Sequence, residues 1–240
     1  MNKIIRKLLG KLSIITVFVA VLVFTSTIGV GTYVLASSTS NFTQTINPGT
    51  LSVDIVDASY VTVGSPSVAM NAATFSFACQ TITGSFGTAS QQIYVKNPDA
   101  ADGGWSVSLA GTTATTTVWA SAGTPFDYND PAGSGCTDTA HAQDTDSVGG
   151  QMTVDPSAGT LAVGQCATCV TTNVTKGSSA AFDAVNATPI NSITILTGAA
   201  ASNDIGDWKL TGVSISQKIP AEQPADSDYD VNMVLTIATT

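Results

Sequence analysis

The 240-residue sequence predicts an all-β protein: a single antiparallel β-sandwich, Ig-like or jelly-roll-like, preceded by an N-terminal signal helix. Short apolar runs alternate with a period of two, as half-buried strands do. Clusters of Gly, Pro, Asn and Asp stand between these runs, and such residues supply the backbone angles of turns. Beyond residue 36 no stretch keeps a helical period for three turns, and Thr, Ser, Val and Ala dominate.

The chain opens with Lys3, Arg6, Lys7 and Lys11, and an apolar run follows from Leu12 to Leu35. With the small residues Val34 and Ala36 at its end, this reads as an export signal over residues 1–36. The run is long enough to cross a bilayer, so an uncleaved membrane anchor is the competing reading. The interruption TSTIGVGT and the small-residue site favour cleavage. On either reading the rest of the chain lies outside the cytoplasm. Residues 37–47 are polar and read as a linker or a loose, donor-like strand; one sandwich domain follows over 48–240.

Within that domain, TLSVDIV sends Leu51, Val53 and Ile55 to one face and Ser52 and Asp54 to the other. TFSFAC aligns Phe75, Phe77 and Cys79 in the same way. QIYVKN, WSVSL, QMTVD and SITIL are further short strands, with Trp105, Val107 and Leu109 on one face of the second. Trp208 and Leu210 share a face of a penultimate strand. The last strand, YDVNMVLTI, aligns Tyr229, Val231, Met233, Leu235 and Ile237. NPG, NPDAADGG, NDPAGSG, DPSAG and LTGAA are the turns between.

Charge narrows the function classes. Four of the eight Lys and Arg precede residue 37, leaving Lys96, Lys176, Lys209 and Lys218 against seventeen carboxylates. Such a surface repels nucleic acid and anionic membranes, both of which need cationic faces. A membrane contact is expected only through an uncleaved N-terminal segment. Cys79, Cys136, Cys166 and Cys169 in an exported chain indicate two disulfides, with all three pairings open. In a regular strand Cys166 and Cys169 would face opposite sides, so a bridge between them requires a tight turn at CATC.

Catalysis finds little to work with. His141 is the only histidine and sits in the polar stretch DTAHAQD, so no second imidazole exists for a metal site or a relay. Most carboxylates lie in turn segments, where Asp is a turn former. The chain is therefore expected not to be an enzyme and to carry no organic cofactor. Calcium is the one ion the sequence suggests. Asp127, Asp130, Asp138, Asp144 and Asp146 crowd a segment without Lys or Arg, and carboxylates with loop carbonyls suit Ca²⁺. The alternative is a solvated acidic loop. Trp105 and Trp208 are expected in the core, where an indole buries a large apolar area.

Several of these segments resemble the WxL-type domain of bacterial surface proteins. NPGTLSVDIV is similar to its opening, IYVKNPDAADGGWSVSL to its first motif, and IPAEQPADSDYDVNMVLTI to its closing strand. Trp105 and Val107 take the key positions of the first motif. The literal Trp-x-Leu, Trp208 with Leu210, stands one strand earlier than the family pattern, and the closing strand lacks its tryptophan. The resemblance implies non-covalent attachment to cell-wall peptidoglycan and assembly with other surface proteins. A second resemblance, of GTYVLASSTSNFTQTINPGTLSVDI to the start of camelysin and TasA-like matrix proteins, implies a self-associating fibre or matrix subunit. In that reading residues 37–47 donate a strand to the next copy.

Overall fold

The computed structural model describes residues 16–19, 44–47, 49–98, 103–113, 116–138, 148–184, 188–200, 202 and 205–240. The chain divides into two units, Met1–Ile46 and Asn47–Thr240. Of the first, residues 16–19 are helical and residues 44–46 are exposed and in no regular secondary structure. The rest of the expected signal, its cleavage site, and residues 37–43 lie outside the described residues. Among the described residues no helix is long and apolar enough to cross a membrane.

The second unit is all-β, with three antiparallel sheets packed together as a sandwich. The first sheet holds β1 (Ser52–Val56), β3 (Gln92–Asn97), β11 (Gly206–Thr211) and β7 (Thr160–Val163), in that order. The second holds β13 (Met233–Thr239), β4 (Trp105–Gly111), β10 (Ser192–Gly198) and β8 (Val174–Lys176). The third runs β2 (Gln80–Phe86), β12 (Val213–Ile219), β6 (Gly150–Asp155) and β5 (Asn129–Asp130), and β9 (Ala180–Ala181) also pairs with β6.

Alternation explains most of these elements. In β4 Trp105, Val107 and Leu109 are buried and Ser106, Ser108 and Ala110 half-buried, the period of a strand with one face on the core. β6 does the same with Met152 and Val154, and β12 with Val213, Ile215, Gln217 and Ile219. In β10 the pattern slips, because a register shift between Thr194 and Leu196 lets both Ile195 and Leu196 face inward. β3 is buried on both faces at Ile93, Tyr94 and Val95, since loops cover the outside of the first sheet.

Three expectations shift in place. TFSFAC is not a strand: β2 begins at Gln80, and Phe75 and Phe77 are exposed on a loop, 49% and 79% accessible, edge to face at 5.1 Å. Their alternation mimics a strand, but they cover no apolar face. The closing strand starts at Met233 rather than Tyr229, whose ring packs on Phe126 instead. Trp208 and Leu210 lie in β11, third from the end, because Gly212 at φ +75° breaks the chain after Thr211 and a further strand, β12, follows.

The core is one cluster built from all three sheets. Trp105 and Trp208 sit at its centre, 1% and 0% exposed, with ring centroids 5.5 Å apart and Val107, Leu210, Ile93 and Val95 in the same cluster. Burying an indole of this size stabilises the fold by about 4–6 kcal/mol on area grounds.

Candidate functional site

The residues singled out in the sequence have separate fates. Trp105, Val107, Trp208 and Leu210 are all in the core, so the two Trp-x-aliphatic triplets offer no indole face to a ligand. Trp208 is anchored by its Nε1, which donates to the Val170 carbonyl at 2.9 Å.

The acidic segment divides. Asp127 and Asp130 are fully buried, whereas Asp138 is exposed. One Asp127 carboxylate oxygen accepts the Tyr128 N–H at 2.7 Å, and with the Asn129 amide nitrogen turned inward both oxygens accept from it, at 2.6 and 2.9 Å. Asp130 accepts the Ala132 N–H at 2.7 Å. Asp127 thus fastens the entry to β5 and Asp130 the turn after it. Asp127, Asp130 and Asp138 do not gather into a three-carboxylate cluster. Asp144, Asp146 and His141 lie outside the described residues. Burial, with the neighbouring Asp127 charge adding to it, pushes the Tyr128 phenol up to about 12.

The cysteines pair as Cys79–Cys136 and Cys166–Cys169, and no described cysteine is free. The second bridge has the tight turn it needs, at Ala167 and Thr168. Two disulfides fit an oxidising, extracytoplasmic setting.

The densest polar arrangement is one that the sequence did not announce. On the outer face of the first sheet, Asp207 of β11 is only 5% exposed, and its carboxylate is enclosed by the CATC loop. Oδ1 accepts the Cys166 N–H at 2.8 Å, and Oδ2 accepts the Gln165 N–H at 2.6 Å and the Tyr94 hydroxyl at 2.5 Å. The Asp207 carbonyl takes the Gly164 N–H at 2.9 Å. Register explains the Tyr94 contact: Tyr94 pairs with Lys209, so Asp207 is its diagonal neighbour on the same face. A Cβ at Gly164 would collide with the Asp207 carboxylate and the Tyr94 ring, so only glycine lets the loop close. Burial first, then the bond to Asp207 and its charge, holds the Tyr94 phenol well above the usual tyrosine range. Tyr60, at φ +62°, packs on Tyr94 at 5.3 Å and receives Lys209 Nζ over its ring at 5.4 Å.

The signal that could have found this clasp is the carboxylate next to the core tryptophan in GDWKL. Such an Asp points to the face opposite the core, and where that face is covered the carboxylate needs hydrogen-bond donors.

A shallow groove of about 170 Å³ lies elsewhere, lined by Phe75, Ile82, Ile219, Pro224, Asp226 and Tyr229. At its rim the exposed Asp226 and Asp228 carboxyls share a hydrogen bond, which lowers the proton affinity of the first and raises that of the second.

The sheet edges complete the inventory. The β1 edge is taken up at Ile55 by the Val63 N–H, and that of β2 at Thr83 by the Asn71 N–H, both within 2.9 Å. β5, β8 and β9 are two or three residues long, and β7, the other edge of the first sheet, is four. β13 differs. It is seven residues long, carries no charge and no proline, and pairs only with β4. The Thr240 N–H reaches Gly104 and the Asn232 carbonyl accepts from Thr112. In this alternation Met233, Leu235, Ile237 and Thr239 turn their main-chain groups to the outer edge. β1 of the first sheet comes close to β13, but among the described residues no strand is hydrogen-bonded to it on that side.

Comparison with protein-family models, with curated proteins and with solved structures found no match for this chain.

Proposed function

We propose that the protein is a non-enzymatic structural subunit of the extracytoplasmic surface that joins other copies of itself by strand addition to β13. The observation that carries this reading is the β13 edge. Natural sheets blunt long edges with Lys, Pro, bulges or short strands, because an open row of N–H and C=O groups recruits another strand. MVLTIAT has none of these devices, and Val234 on its outward face is 40% exposed. An incoming strand would gain main-chain hydrogen bonds along its length. The donor is the segment 37–47, whose described end, Gln44 to Asn47, is exposed and in no regular secondary structure, with Ile46 87% exposed.

A second reading, attachment to peptidoglycan, has its own support. The two segments that carry the WxL resemblance, β4 with Trp105 and the closing strand β13, are neighbours paired from Met233–Gly111 to Thr239–Trp105. The buried indoles would then brace a binding surface rather than form it. Sedimentation separates the two readings. Purified exported protein is expected to form filaments without wall material, and deletion of residues 37–47 is expected to abolish them. Pelleting with isolated peptidoglycan by a protein that stays monomeric alone would instead favour the wall-bound reading.

A further inference from the structure

The CATC loop and β11 bring Cys166, Cys169 and Asp207 together, with one donor atom from each mutually within 4.8 Å. Among the described residues this is the one grouping of metal-ligating side chains of that kind. We propose that, when the Cys166–Cys169 bridge is reduced, these three side chains form a binding site for a thiophilic divalent cation of the Zn²⁺ class.

The argument is one of preorganisation. A C-x-x-C pair is the commonest spacing by which a loop offers two thiolates to zinc, and two sulfurs with a carboxylate leave a fourth position for water. A disulfide-closed pair keeps that geometry on reduction only if something other than the bridge holds the loop. Here the loop is fastened independently of its disulfide. The Gly164, Gln165 and Cys166 N–H groups bond to Asp207, Trp208 Nε1 bonds to Val170, and Cys169 Sγ lies 3.5 Å from the Ile205 carbonyl. Gly206 packs beneath, where an added Cβ would lie 2.7 Å from the Trp208 ring and 3.3 Å from Cys169 Sγ.

The carboxylate keeps capacity for a metal. A carboxylate has about four lone-pair positions, and Asp207 shows three donors: two on Oδ2 and one, the Cys166 N–H, on Oδ1. Oδ1 is therefore the oxygen that ligates. Cys169 is buried at 8% and Cys166 half-buried, so the cation enters from the Cys166 side.

The chemistry balances in two steps. Two equivalents of a small thiol reduce the bridge, becoming one disulfide while Cys166 and Cys169 each gain a hydrogen. The cation then displaces both thiol protons to solvent and binds two thiolates. Metal uptake competes with reoxidation, so the site is filled only in chains that meet the ion before the bridge closes or after it is reopened.

The test uses the full exported chain, reduced, freed of thiol under argon, and titrated with Zn²⁺ and with Co²⁺ as a spectroscopic probe. The expectation is one tightly held ion per reduced chain and none per oxidised chain, with sulfur-to-cobalt charge-transfer bands. Cys166→Ser and Cys169→Ser should lose the ion, the double variant Cys79→Ser/Cys136→Ser should keep it, and Asp207→Asn should weaken it tenfold or more. The proposal is overturned if the reduced chain holds no ion, or holds it undiminished without Cys166 and Cys169. Should a serine variant not fold, the Co²⁺ spectrum of the reduced native chain decides: absence of thiolate bands overturns the site.

Discussion

Cys79–Cys136 and Cys166–Cys169 close loops of very different size, with sequence separations of 57 and 3. If a disulfide acts chiefly by restricting the unfolded chain, the first contributes about 4 kcal/mol and the second about 2. Their surroundings widen that gap. Cys79 directly precedes β2 and Cys136 follows the turn after β5, so the long bridge ties the two flanks of the third sheet. The turn at 132–136 crosses the sheet end closely: a Cβ at Gly135, which has φ +80°, would lie 2.6 Å from Gln151 of β6. On the other side, Phe75 and Phe77 are exposed, and only scattered bonds hold their loop, such as Glu222 N–H to Ser76 and Gln80 Nε2 to Thr74. The long bridge holds what little else holds. The short bridge closes a loop that the buried Asp207 carboxylate already grips.

The sharpest way to break this contrast is to remove the long bridge. Cys79→Ser/Cys136→Ser should lower unfolding stability by about 4 kcal/mol in urea melts, a large share of a typical domain's total. Next in size, Asp207→Asn should cost about 2–3 kcal/mol, because charged-acceptor bonds from Tyr94, Gln165 and Cys166 are lost and an amide N–H₂ faces donors. Cys166→Ser/Cys169→Ser should cost no more than about 2 kcal/mol. If the short bridge proves costlier than Asp207, the carboxylate is not what holds the loop.

Alkali sharpens the same point from another side. Tyr94 and Tyr128 have raised folded-state pKa values, so the folded chain holds these protons more tightly than the unfolded chain. Their stabilising contribution is whole below the unfolded value near 10.0 and is lost as pH rises towards about 12 and beyond. Melting temperatures should not vary with pH through these groups near neutrality and should fall steeply above pH ~10. Tyr94→Phe should flatten part of that fall.

Legibility in the sequence followed the physics of each feature. WSVSL, QMTVD and the closing strand were readable because one face is buried and the other wet, so composition alternates. TFSFAC has the same alternation without the burial, and a pattern cannot distinguish a core face from an exposed aromatic pair. The cysteines announced two bridges but not their partners, since pairing depends on how the sheets bring Cys79 to Cys136. The carboxylate of GDWKL hinted at the Asp207 clasp, but its partners were not legible for a similar reason: the donors come from β3 and from a loop some forty residues upstream. The β13 edge could be read only in part, because an uncharged strand is ordinary in a sheet's middle and consequential only at its margin.

The smallest expected effect on stability bears on the largest claim. Val234→Lys with Thr236→Lys places two cations on the exposed face of β13, where surface changes shift stability by about 0.5 kcal/mol or less. Sedimentation velocity and electron microscopy of this variant beside the native chain test the account most directly. Native protein should assemble into polymers, and the variant should remain monomeric with an unchanged melting temperature. Equal assembly of the two, or a native chain that stays monomeric at every concentration, would contradict strand addition at β13.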